Sequence, residues 1–286
     1  MKAVAEFVMR GRSQAIGLAV IAASLPFLQW LATAVVSLVV LRRGLAEGSF
    51  VLLWAVLPML LLYFLAGDVT PVVMLFGTAC MAYVLRATAS WELTLLTSVA
   101  AGVLSVLLVE LTASETLTEL VRLYREFLLD LQSQAASQDQ VVEVLTAEAT
   151  RALLVGVLSM GYAMCMVGFL MLSRWWQSML YNPGGFQQEF HQVRLSPIVA
   201  GSLVVAVLLS FSIEPLNRLV QVMTVPLIIG GLALLHWTIK VKQLSVSWLV
   251  SFYVLMVLLQ LYPVLVFVAL LDSWFDLRKK IQADEV

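Results

Sequence analysis

Apolar residues run through this chain in eight blocks, at about 14–41, 49–66, 70–86, 91–111, 152–173, 197–213, 219–239 and 244–271. As helix, most of these lengths match a hydrocarbon core of ~30 Å. A β-barrel would instead show alternating segments of about ten residues. The pattern predicts an all-α fold, a polytopic transmembrane helical bundle of 8–10 membrane segments.

The first and last blocks are too long for simple spans. Each would be about 42 Å long as one helix, and each holds an internal proline, Pro26 or Pro263. Either is one tilted, kinked helix or two short helices. Positive charge favours the second choice, because Lys and Arg collect on the cytoplasmic side. With both blocks split, Lys2, Arg10, Arg12, Arg42, Arg43, Arg86, Arg174, Arg194, Lys240, Lys242, Arg278, Lys279 and Lys280 share one side. That is thirteen of the 17 basic residues, and both termini are then cytoplasmic. Left unsplit, the blocks give no such bias. Trp91, Trp175, Trp176, Trp237, Trp248 and Trp274 fall near the same ends, where tryptophan anchors a helix at the headgroups.

One polar excursion interrupts the blocks, over residues 112–151. Leu117, Leu120, Val121, Tyr124, Phe127, Leu128 and Leu131 recur there at helical spacing. Thr112 and Glu115 have the form of a capping box. Ser137 and Gln140 suit the start of a second helix. The segment is acidic, which suits an extracytoplasmic position. The whole chain, 1–286, reads as a single integral membrane domain carrying this amphipathic helical excursion.

Composition agrees. The chain is 62% hydrophobic and 12% charged, about half the charge of a soluble domain. Its net charge of -1 offers nothing to a nucleic acid. Lys2, Arg10 and Arg12 precede an apolar run, as in a signal peptide, but the run resumes at Pro26, so the start reads as a retained membrane segment. Cys80 and Cys165 lie inside apolar blocks without metal-ligand spacing and read as packing residues. No catalytic motif, metal site or cofactor motif is present, so the chain is not expected to be an enzyme.

Individual polar residues have two readings each. Asp68, in "AGDVTP", suits a turn, and Glu110 ends a block at the interface. Asp272 either pairs with a basic residue inside the bundle or binds a solute. Gln29, Gln221, Thr224 and Gln260 make inter-helix hydrogen bonds or line a cavity. Pro58 and Pro226 are expected to kink their helices. Ala15, Ala19 and Ala23 are small residues at helical spacing that let another helix approach, from this chain or another.

The stretch "SRWWQSMLYNPGGFQQEFHQVRLS", 173–196, departs most from its surroundings. Its first half extends the preceding helix, with Trp175 and Trp176 at headgroup level. Asn182, Pro183, Gly184 and Gly185 stop it. Phe186, Phe190 and Val193 then fall on one side of a short helix, leaving Gln187, Glu189, His191 and Arg194 for water or a partner. The segment 174–196 reads as a cytoplasmic interfacial helix–turn–helix. As a site, it would be a docking surface or an anionic-headgroup site using Arg174, His191 and Arg194.

At "LVVLRRGLAEGSF", at 173–196 and at "LLDSWFDLRKK", the chain resembles the YybS-like family of bacterial membrane proteins, a domain of unknown function. The resemblance extends over nearly the whole chain. The family is distantly similar to the S components of energy-coupling-factor transporters. That implies an S-component-like first half, a bacterial cytoplasmic (inner) membrane location, and an alanine-rich first helix, here Ala15, Ala19 and Ala23, that docks onto a membrane subunit. Three functions are open to this chain: a transport-related solute-binding membrane component, which predicts a closed cavity with a few convergent polar groups between helices, a non-transporting scaffold or assembly factor, and a lipid-phosphate-handling protein. The expected partners are the lipid bilayer, with a membrane protein or a small solute, and no nucleic acid.

Overall fold

The computed structural model describes residues 1–136, 145–213 and 216–283. Every described element is helical. In chain order these are α1 (Lys2–Arg10), α2 (Arg12–Ser24), α3 (Gln29–Arg43), α4 (Leu45–Ala66), α5 (Thr70–Thr88), α6 (Trp91–Thr112), α7 (Ser114–Ala136), α8 (Ala147–Tyr181), α9 (Gly185–Phe190), α10 (Pro197–Ser212), α11 (Val220–Met223), α12 (Val225–Val241), α13 (Ser247–Leu258), α14 (Tyr262–Phe275) and α15 (Leu277–Ala283). Six of the described segments, namely Pro26–Arg43, α4, α5, α6, α8 and Leu216–Val241, are long and apolar enough to cross a membrane.

Both long blocks are broken. A 3-10 turn over Pro26–Leu28 separates α2 from α3, and Leu259–Leu261, with Gln260 at φ 50°, separates α13 from α14. The prolines do not sit at the breaks as kinks. Pro26 and Pro263 occupy the first turns after them, where a missing N–H costs nothing. Pro226 does the same for α12 and starts that helix instead of kinking it. Pro58 lies within α4.

α3 is the central helix, buried without interruption from Ala32 to Leu41. It packs against α2, α4, α5 and α8. Ala15, Ala19 and Ala23 are buried in α2, which lies on α3 and α4. These alanines admit helices of their own chain, so they are helix-packing residues and not an open docking face. α6 and α8 join this lobe to a second one built on α12 and α14. Close approaches mark the joints: a Cβ on Gly102 of α6 would sit 2.7 Å from the Ser159 carbonyl of α8, and one on Gly231 would strike the Leu265 carbonyl of α14. Lipid competes with protein for apolar surface, so tight backbone packing holds such helices together.

The outside is as apolar as the inside. Phe27 is 91% exposed, Ile198 83% and Phe64 80%. A water-soluble domain would not leave such residues bare along its length. Cys80 and Cys165 are also exposed, so they are outward-facing and not packing residues.

Helix ends gather at two poles. At one, Arg43 donates to the Met9 carbonyl, Arg86 to Leu41, and Arg278 to Val193, while Arg12 pairs with Glu47. At the other, Glu110 pairs with Arg151 and Arg218, and Asp68 closes its turn by accepting from Thr70 N–H. α7 starts at this second pole. Leu117 docks with Val106 and Val155 in a small cluster apart from the main core, whereas Phe127 and Leu131 further along α7 stay exposed. Thr112 does not cap α7. It ends α6 and donates to the Leu108 carbonyl, so the expected capping box does not form. The helix start expected at Ser137 and Gln140 lies outside the described residues. α8 begins at Ala147, with the Thr146 side chain accepting from Ala149 N–H.

Candidate functional site

α8 runs 35 residues. Arg151 and Arg174 bracket its apolar part, about 35 Å apart along the axis. Its last turns, with Trp175 and Tyr181, therefore project beyond the membrane-length section. Asn182 ends the helix, and Gly184 takes φ 85°, a conformation that side chains disfavour. Ser178 stitches the turn. Its hydroxyl donates to the Asn182 carbonyl at 2.7 Å and accepts from Phe186 N–H at 2.9 Å. A Cβ on Gly185 would collide with the Asn182 side chain. α9 then folds back beside α8 and ends at Phe190, shorter than the expected helix.

Glu189 fixes α9 in place. It accepts from Arg174 Nε at 2.9 Å, from Arg174 Nη2 at 2.8 Å, and from Trp91 Nε1 at 2.6 Å. Three elements, α6, α8 and α9, are thereby joined through one carboxylate. Trp175 is half-exposed, but Trp176 is fully buried and faces the core. It shares a helix side with Ser173, which donates to the Ala34 carbonyl of α3. Trp176 is thus a core residue and not an interfacial anchor. Trp91 is buried as well.

Arg278 makes the second lock. Its Nε bonds Asp272 Oδ2 at 3.1 Å, its Nη2 bonds the Val193 carbonyl at 2.7 Å, and its Nη1 bonds the His191 carbonyl. Asp272 is buried, and its Oδ1 has no partner among the described residues. Arg194 pairs with Asp276 at 3.1 Å and donates to the Ser273 carbonyl. The hydrogen bond from Lys279, reinforced by Arg194, holds the Asp276 carboxyl below its ordinary range. Arg174, His191 and Arg194 do not converge on one anion site. Each arginine is held by a local acid, the arrangement that leaves least charge uncompensated.

Between these locks lies a groove of about 760 Å³. Met171, Trp175, Met179, Phe186, Phe190, Ile229 and Leu232 form its apolar walls. Ser178, Gln187, His191, His236 and Tyr253 supply polar atoms. Aromatic rings lead into it: Trp91 to Phe186 at 6.5 Å, Phe186 stacked on Phe190 at 6.1 Å, and Phe190 edge-on to His236 at 5.5 Å. His236 Nε2 and the Tyr253 hydroxyl are 2.8 Å apart and hydrogen-bonded. Burial lowers the His191 imidazole below its ordinary pKa, and His236, Arg278 and Lys240 add repulsion.

The groove is open because of how α13 sits. Gly231 abuts Leu265, and Trp237 lies under Arg278, so α12 and α14 run in the same direction. α13, which lies between them in sequence only, turns back beside α12, with Tyr253 bonded to His236. None of its residues is buried. It supplies one edge of the groove without closing it.

The sequence singled out Arg174, Phe186, Glu189, His191, Arg194 and Asp272, and the fold gathers all of them around this pole. Trp91, Ser178, His236 and Tyr253 were not read as site residues. His236 and Tyr253 are polar positions on apolar helices whose pairing depends on the reversal at 242–246. Composition, all-helical architecture and the six long apolar helices define a helical membrane protein. No known protein family, curated protein or solved structure matches the chain.

Proposed function

We propose that this protein is a transport-related, non-catalytic membrane component that binds a small amphipathic solute in the groove between α8–α9 and α12–α13. The groove itself carries the reading. Its volume is in the range of small-molecule sites, its walls are apolar, and its polar atoms cluster at His191, His236 and Tyr253. An apolar body would lie along Met171 and Leu232, with a polar end at the histidines. The solute site is an open groove at one pole, not an enclosed cavity between helices. The family resemblance to YybS-like proteins, and through them to S components, is part of this proposal.

In the same reading the protein is a multi-pass protein of the bacterial inner membrane. The pole with Arg86, Arg174, Arg194 and Arg278 is cytoplasmic, as are both termini, and α7 is extracytoplasmic. Reporter fusions after Gly44 and after Lys280 should both report cytoplasm. An extracytoplasmic signal after Gly44 refutes the assignment.

Native mass spectrometry of the protein in mild detergent tests the solute. A small molecule should travel with the wild type and be lost from Leu232→Trp, which fills the groove. Bare protein, with unchanged spectra in Leu232→Trp, counts against the reading.

One observation favours a scaffold function instead. α7 exposes Leu120 between its docked residues, and Leu123, Phe127 and Leu131 beyond them. A protein partner released by Leu120→Ser/Phe127→Ser, and kept by Leu232→Trp, would support that alternative.

A further inference from the structure

The ends of α3, α5 and α8 meet on the other side of Phe186 from the groove, and they meet with excess positive charge. Two clefts lie here, each about 270 Å³. Arg42 lines the first and Arg86 the second, and the Arg174–Glu189 pair lines both. Three guanidiniums thus line clefts that hold one carboxylate, Glu189. That carboxylate already accepts from Arg174 and Trp91, so it has little left to offer Arg42 or Arg86.

The donors of these two arginines are largely free. Arg86 uses Nη1 on the Leu41 carbonyl at 2.6 Å, and among the described residues its other nitrogens have no acceptor. Arg42 has no hydrogen-bond acceptor among the described residues. Its guanidinium carbon lies over the Tyr181 ring, 3.9 Å from the centroid. A cation–π contact of this kind holds a guanidinium in place without using its N–H donors.

A bland account exists for the charge. Arg42 and Arg86 lie in the last turns of α3 and α5, where the helix dipole favours cations. That account explains their position in sequence. It does not explain why Arg42 crosses to α8, or why clefts remain between the side chains. Arg174 ends the membrane-length part of α8, so both clefts sit at the level of lipid phosphates in the proposed topology.

We infer that the paired clefts bind a phosphate group, between the open edges of Arg42 and Arg86. Planar guanidiniums suit phosphate oxygens because two N–H groups meet two oxygens at once. The phosphate belongs either to an anionic lipid headgroup or to free phosphate in solution. The inference does not depend on the occupant of the groove.

Native mass spectrometry of the full chain, with added dioleoylphosphatidylglycerol or dioleoylphosphatidylcholine, tests the lipid source. Isothermal titration calorimetry with inorganic phosphate tests the free one. One ligand should be bound by the wild type, with phosphatidylglycerol preferred over phosphatidylcholine if the source is lipid. Arg42→Gln should weaken it by about tenfold, the loss expected of one charge-assisted contact, and Arg42→Gln/Arg86→Gln should abolish it. Arg42→Gln breaks no hydrogen bond seen in the structure, and an unchanged melting temperature confirms that it folds. Arg10→Gln, an exposed control on α1, should leave binding intact. Equal losses in Arg10→Gln and Arg42→Gln would show diffuse surface charge and overturn the site, as would no difference of either from the wild type.

Discussion

Glu189 takes a hydrogen bond from the indole of Trp91, 98 positions earlier in the chain, at 2.6 Å. The same carboxylate holds Arg174, so the short helix after the NPGG turn is fixed to two long ones. Glu189→Gln keeps an acceptor for Trp91 but removes the charge opposite Arg174. The expected cost is about 1.5–3 kcal/mol, the range for hydrogen bonds to charged groups. Hydrogen exchange should rise over 182–190 first.

Arg278 is the costlier residue to lose. Arg278→Met leaves Asp272 buried and charged without a partner, and strips the His191 and Val193 carbonyls of their donor. Breaking a buried pair from one side costs about 3–5 kcal/mol. Asp272→Leu/Arg278→Met should recover much of that, because no charge is left stranded. Melting in detergent measures both, and equal damage in the single and double variants would contradict the pairing.

Acid should weaken the fold through His191. Its folded pKa is lowered, so between about pH 6.5 and that lower value the unfolded chain binds more protons. Stability is complete above this window and falls as pH drops through it. His191→Gln should remove that loss. Melting temperatures at pH 7.5 and 5.5 should therefore differ less in the variant than in the wild type.

α7 should detach without unfolding the bundle. Leu117 and Val121 are its buried side chains, and Leu117 belongs to a cluster separate from the main core. Each contributes about 1.5–3 kcal/mol of burial. Leu117→Ser/Val121→Ser should speed proteolysis within 114–136 and barely move the melting of the remainder.

Much of the fold is legible in the hydrophobic pattern. Long apolar blocks have few structural solutions, and Pro26 and Pro263 mark real interruptions because proline suits the first turn after a break. Side-chain environment is less legible. Trp175 and Trp176 have the same local context, yet one is half-exposed and the other lies in the core, because adjacent residues on a helix point about 100° apart. The charged residues were found as individuals. Apart from the basic partner expected for Asp272, which is Arg278, their partners are not legible, since Glu189 with Trp91, and Arg278 with the carbonyls at 191 and 193, meet only through tertiary packing. His236 and Tyr253 were hidden for a similar reason: each helix alone gives no sign that the other faces it.

α13 has 12 residues and α14 has 14, or about 18 and 21 Å of helix. Neither matches the ~30 Å of an ordinary hydrocarbon core, while α8 exceeds it. In the proposed topology, a bilayer around this molecule is thinned beside α13 and α14. Such distortion costs a fraction of a kcal/mol per Å, and shorter acyl chains relieve it. The protein should melt at higher temperature in vesicles of 14-carbon lipids than in those of 22-carbon lipids, roughly in step with the thickness it is asked to match. In a mixed membrane it would gather short-chain lipids beside α13, at the open edge of its own groove.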